Sequence, residues 1–229
     1  MLDLKGYGPA ILEGMLLTVE AGLLSLAVAM VLGIVGALAK IARSPIVRGI
    51  AGAYTTLIRG VPDLVLMLLI FFGGQMLVNQ LALTVGYEEY IDINPFIAGV
   101  LTIGFIYGAY MTETFRGAIL AVPAGQLEAG RAFGMRQGQV FTRILFPQML
   151  RHALPGFGNN WLVLLKTTAL LSVIGLDDMV RKASLAAGAT REPFTFYIAV
   201  ALIYLALTTV SVLLLGWLER RSNLAYRRA

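Results

Sequence analysis

The sequence predicts an all-α, polytopic membrane protein, and three observations carry that prediction. Of 229 residues, 58% are hydrophobic and only 14% charged, with mean hydropathy +0.79, whereas soluble domains carry about a quarter charged residues. The apolar residues gather into five runs, each near the ~20 residues a bilayer-spanning helix needs. Most of the charge lies between those runs, as loops flanking spans require. Length and composition suit one domain over residues 1–229, with no room for a second, soluble one.

The first span runs from about Gly14 to Ala39, ends at Lys40 and holds one internal acid, Glu20. The next stretch carries Lys40, Arg43, Arg48 and Arg59 without an acid, and Ser44-Pro45 marks a turn in it. The second span covers about Gly60 to Thr84, with Pro62 and Asp63 at its start. An acidic loop with Glu88, Glu89 and Asp92 leads to Asn94-Pro95, which opens the third span, Phe96 to about Val122. That span contains the polar run Tyr107, Tyr110, Thr112, Glu113, Thr114 and Arg116.

The stretch from Gln126 to Pro147 differs from the rest. Leu127, Ala132, Phe133, Val140, Ile144 and Leu145 recur near helical spacing, interleaved with Arg131, Arg136 and Arg143. Gly134 and Gly138 are expected to break it into two short helices, and Pro147 to end the second. The product is a basic, amphipathic bracket suited to being gripped by a partner. The fourth span runs from near Pro155 to near Leu176 and contains Asn159, Asn160, Trp161 and Lys166; the fifth is Phe194 to Leu218.

Basic residues in short loops set orientation. One side gathers Lys40, Arg43, Arg48, Arg131, Arg136, Arg143, Arg151, Arg220, Arg221, Arg227 and Arg228; the other has Lys5, Arg181, Lys182 and Arg191. The richer side is the cytoplasm, so the N-terminus lies outside and the C-terminus and bracket inside. The net charge of +5 does not indicate a nucleic-acid partner, because the basic residues edge the apolar segments instead of forming one face. With no cysteine and a single histidine, His152, a metal cluster or a Ser-His-Asp triad is not expected. The N-terminus lacks the pattern of a removable signal peptide. No phosphate-binding GxxxxGK[ST] pattern is present, so any ATP hydrolysis belongs to a partner. There is no clear internal repeat of the kind many secondary transporters show.

Charged groups inside spans are costly and are functional candidates. Glu113 and Arg116 are three apart, share a helix face and can pair. Aimed into the bundle, the pair can receive the carboxylate and amino groups of an amino acid, or it can satisfy itself as an internal salt bridge. Lys166, in mid-span, faces either a partner carboxylate or an aqueous cavity. Asp63 reads as a helix cap, Tyr107 and Tyr110 as packing before ligand contact, and Asn159 and Asn160 as hydrogen-bonding across helices. Glu113, Arg116, Tyr110, Lys166 and Asn160 are therefore the candidate substrate path. No catalytic residue is expected.

The bracket resembles the EAA loop of ABC importer permeases: Glu128, Ala129, Gly134, Ile144 and Pro147 fall on its positions, with Gly130 for the second alanine and Phe146 for leucine. Arg59-Gly60-Val61-Pro62 resembles the Arg-Gly-Thr-Pro segment of the polar amino-acid permeases. Thr112 to Ile119, Val122-Pro123, Gly125-Gln126, Leu154 to Asn160 and Leu165 to Leu170 also fit that family. The run Tyr54 to Phe71 is most like the first permease subunit of histidine/lysine/arginine/ornithine importers. The resemblance implies a type I ABC importer permease fold, with a cytoplasmic coupling loop over about residues 124–150. Glu128, Ala129, Gly130, Gly134, Arg136 and Gly138 would engage the ATPase. It implies alternating access in a bacterial inner membrane and polar, chiefly basic, amino acids as substrate. The implied partners are a second permease subunit (a heterodimer favoured over a homodimer), two copies of a cytoplasmic ATPase holding ATP and Mg, and a periplasmic amino-acid-binding protein. The alternatives are an ion-coupled secondary transporter, in which Glu113 and Lys166 relay protons, and a non-transporting membrane scaffold.

Overall fold

The computed structural model describes residues 4–227, with side chains as far as Ser222. Arg228 and the side chain of Arg227, both assigned to the basic tail, lie outside the described residues. Among the described residues every regular element is helical. The order is α1 (Gly8–Lys40), α2 (Pro45–Gly60), α3 (Asp63–Thr84), α4 (Pro95–Leu120), α5 (Ala124–Ala132), α6 (Gln137–Val140), α7 (Phe146–Thr167), α8 (Met179–Thr190) and α9 (Pro193–Arg227). A π-turn over Phe141–Leu145 joins α6 to α7, and a 3-10 turn over Thr168–Ser172 follows α7.

The bundle is built on α4, which packs against α1, α2, α3 and α7. Its start is set locally: the Asn94 side-chain oxygen Oδ1 accepts from the amides of Phe96 and Ile97, with Pro95 in the first turn. The α1–α4 contact is the most extensive in the chain, and small residues make it possible. α1 buries Ala21, Gly22, Ser25, Ala29, Gly33, Gly36 and Ala37. A methyl added at Gly104 would lie 2.5 Å from Val28, one at Gly108 2.8 Å from Leu32, and one at Gly33 or Gly36 would strike Met111 or Thr112. Lipid tails are as apolar as the side chains, so membrane helices associate through such close packing, not through escape from water.

Among the described residues four helices are long and apolar enough to span a membrane: α1, α3, α4 and the Pro193–Ser222 part of α9. The expected fourth span differs from the rest. α7 begins at Phe146, well before Pro155, which sits inside it. Its early turns carry Gln148, Arg151 and His152, which dilute its hydropathy. Pro147 does not end the bracket's second helix. It lies in the first turn of α7, after a π-turn in which the Phe146 amide bonds the Phe141 carbonyl. Proline cannot donate to the carbonyl four residues back, and the wider turn absorbs that missing bond. Nor does Gly138 break a helix; it belongs to α6.

Two helices were not expected. The basic stretch after α1 is the amphipathic α2, which buries Ala51, Thr55 and Ile58. The mixed-charge loop before α9 contains α8, whose Ala183, Ala186 and Ala187 pack with Ile11 and Phe196. Gly14 admits the start of α8, since a methyl there would lie 2.7 Å from the Met179 backbone. The acidic loop after α3 is pinned by amide side chains. Asn79 exchanges hydrogen bonds with both backbone groups of Ile91 (2.8 and 2.9 Å), and Gln75 accepts from the Ile93 amide (2.9 Å).

Candidate functional site: a bracket and a polar seam

The bracket is a built turn, not a flexible loop. α5 ends at Ala132, and Gly134 follows at φ +77°, a left-handed conformation that costs glycine nothing. The Gly134 amide bonds the Arg131 carbonyl (2.9 Å) and the Met135 amide the Gly130 carbonyl (3.1 Å). This is the paired geometry of a Schellman cap. Gly130 is buried against Ile144; a methyl there would lie 2.5 Å from the Ile144 side chain. Its glycine, in place of alanine, lets α5 lie close to the π-turn. The Gln139 side chain accepts from the Arg136 amide (2.9 Å) at the start of α6, and Gln148 donates to Gln126 (2.5 Å) across the bracket. Glu128, Ala129, Arg136, Gly138 and Phe133 face outward. Phe133 is 87% exposed.

The second assembly is a polar seam along α4. The chain breaks between α2 and α3 at Gly60-Val61-Pro62, where Val61 is extended (φ −114°, ψ 139°), as a residue before proline prefers. Arg59 and Asp63 flank the break, and both reach α4. The Arg59 guanidinium lies over the Tyr110 ring, 5.4 Å from its centre. The Tyr107 hydroxyl donates to Asp63 Oδ2 (3.1 Å) and lies 2.6 Å from Thr167 Oγ1 on α7. The Tyr107 and Tyr110 rings stack at 5.4 Å. Pro62, not Asp63, holds the N-cap position of α3, and Asp63 is its first residue; the Asp63 side chain bonds Tyr107 instead, which corrects the cap reading. Lys166 is exposed on α7 beside Thr167. Among the described residues it forms no salt bridge.

Nearer the bracket, Glu113 and Arg116 do pair, Nε to Oε2 at 3.0 Å. The other Glu113 oxygen, Oε1, is bound by Lys40 at the end of α1, and Lys40 also donates to Thr55 of α2 (2.8 Å). Asn160 donates to Thr114 (2.9 Å), a bond between α7 and α4. The sequence reading brought Glu113, Arg116, Tyr110 and Asn160 to the correct helices but missed Arg59, Asp63, Tyr107 and Thr167 as a group. The available signal was a pair of opposite charges four residues apart around a proline break. No group of three or more metal-ligating side chains occurs among the described residues.

A short turn, 121–123, leads from the central helix α4 into the glycine-capped bracket. Residues 29–223 match the family of binding-protein-dependent transport system inner membrane components, and the chain belongs to that family. It is a permease subunit of an ABC transport system, not an enzyme. The chain is 53% identical over 99% of its length, and 99% of the relative's, to the histidine/lysine/arginine/ornithine transport system permease protein HisQ of Salmonella typhimurium strain LT2. It is 52% identical, with the same coverage, to HisQ of Escherichia coli K12. The crystal structure of an amino acid ABC transporter with histidines contains a chain that superposes with a TM-score of 0.81 at 33% identity, covering 96% of this chain and 97% of that one.

Proposed function

We propose that this chain forms half of the translocation path of an ATP-driven importer of basic amino acids. The observation that carries this is the 53% identity, end to end, with a permease named for histidine, lysine, arginine and ornithine. The polar seam supports it chemically. Asp63, Tyr110 and Thr167 offer acceptors and an aromatic face for a cationic side chain, with the buried Tyr107 holding them in place, while Arg59 and Lys166 offer cations for a carboxylate. Asn160 braces α7 against α4 beside the path, and Glu113 and Arg116 close its bracket end. The domain spans residues 1–229, with five passes: the four apolar helices and α7 with its 3-10 extension. The N-terminus lies outside and the C-terminus inside, so the bracket is cytoplasmic. Its exposed Glu128, Ala129, Arg136 and Gly138, with Gly130 and Gly134 shaping the turn, meet one of two copies of an ATPase that binds ATP and Mg. A second, related permease completes the path, and a periplasmic binding protein delivers the ligand.

The test is uptake of radiolabelled arginine into proteoliposomes holding this chain with its co-purifying subunits, a basic amino-acid-binding protein and ATP on the ATPase side. ATP-dependent uptake that Glu128→Lys abolishes is the expected result. Uptake driven by an ion gradient without ATP overturns the reading.

A further inference from the structure

Glu113 is placed where a ligand contact is plausible, yet both of its oxygens are taken. Arg116 holds Oε2 from the next turn of the same helix. Lys40 holds Oε1 from the last residue of α1. A ligand's ammonium group reaching this carboxylate has to displace a lysine already seated there. Glu113 and Lys40 are each only 19% exposed, so water screens the pair weakly and the contact is stronger than a surface ion pair.

The position of the contact gives it another use. Lys40 also bonds Thr55, so the Lys40–Glu113 pair ties the end of α1 and the later part of α4 to α2. One residue away, Thr112 fills the space beside Gly36, with no room for a methyl between them. About two turns further along, α4 ends and the bracket begins. A push on α5 therefore reaches α4 first. Whether it moves α1 and α2 together with α4, or merely flexes the end of α4, depends on how firmly the three are joined there.

We propose that Lys40, Glu113 and Arg116 form a coupling clamp: a positioning device that makes α1, α2 and α4 move as one body when the bracket moves, without touching the transported ligand. This rests on the importer reading. Its residues transmit motion, so their loss should waste ATP without weakening ligand recognition.

The experiment uses the reconstituted transporter with Lys40→Gln, Glu113→Gln and the double variant, reading ATP hydrolysed per arginine taken up and the half-saturating arginine concentration. Each single variant should raise ATP per arginine at least fivefold and shift half-saturation less than twofold. The double variant should be no worse than the poorer single one, because both remove the same contact. Half-saturation that rises in Glu113→Gln alone, with ATP per arginine unchanged, overturns the clamp and makes Glu113 a ligand contact. Wild-type stoichiometry in all three, or losses that multiply in the double variant, also overturns it. Should Glu113→Gln fail to assemble, Lys40→Gln, which leaves Arg116 on the carboxylate, carries the same test alone. Absence of ATP-dependent uptake in the wild type would instead strike the importer reading.

Discussion

Gly134 shows how one residue decides a local shape. At φ +77° a β-branched side chain costs about 1–2 kcal/mol, so Gly134→Val should loosen the cap of α5. The expected outcome is uptake lowered at least tenfold with membrane insertion intact, measured by transport and by chain recovered in the membrane fraction. Gly134→Asn should do less harm, since asparagine tolerates that conformation. Asp178 is a different case. It caps α8, Oδ1 accepting from the Arg181 amide at 2.8 Å, but it is fully buried and Oδ2 has no partner. Burial pushes its carboxyl up to about 6, against the pull of the Arg181 and Val180 amides. Between about pH 4 and 6 the folded chain then holds a proton the unfolded chain has released. Stability therefore falls as pH rises through that window, by about 3 kcal/mol in all. Asp178→Asn should flatten this slope, as read from thermal unfolding in detergent at pH 4.5 and 7.5.

Among elements, the α1–α4 pair and the bracket carry opposite demands. The pair needs small residues: Gly36→Leu must push against Thr112, and overpacking of this kind costs about 1–3 kcal/mol. A fall in the detergent unfolding temperature, with uptake lost in proportion to misassembled protein, is the expected result. On the proposed function the bracket calls for an exposed anchor instead. Phe133, 87% exposed at the turn between α5 and α6, is the kind of aromatic that dominates an interface once a partner covers it. Phe133→Ala should reduce ATPase co-purification at least tenfold while leaving the unfolding temperature of the isolated chain within a degree or two. Sequence periodicity placed the apolar stripe here but gave Phe133 no direction. The α5 cap turns it outward, while Val140 is buried.

For the whole molecule, the composition makes the proposed orientation easy to test. The chain has no cysteine, so any cysteine introduced is unique. With the N-terminus outside, a cysteine at Glu89 should react with an impermeant maleimide on intact spheroplasts, and one at Arg136 only after lysis. The reverse pattern would invert the topology and remove the bracket from any cytoplasmic ATPase.

The sequence by itself determined the class: an all-helical membrane bundle, four of its five expected apolar spans, the start of α4 at Asn94 and the bracket with Gly134 at its turn. Those features follow from hydropathy, capping and backbone preference, which are local and act within a few residues of where they are written. What only the tertiary structure decided is how distant groups meet. Nothing near Asp63 in the sequence indicates that its partner is Tyr107, and nothing near Glu113 indicates that Lys40, 73 residues earlier, takes its other oxygen. The helices α2 and α8 were likewise hidden, because an amphipathic or small-residue segment reads as a loop until the surface that buries it is known. In a membrane the partner of a buried polar group is set by which helices lie side by side, and close packing of glycines on α1 and α4 makes that choice.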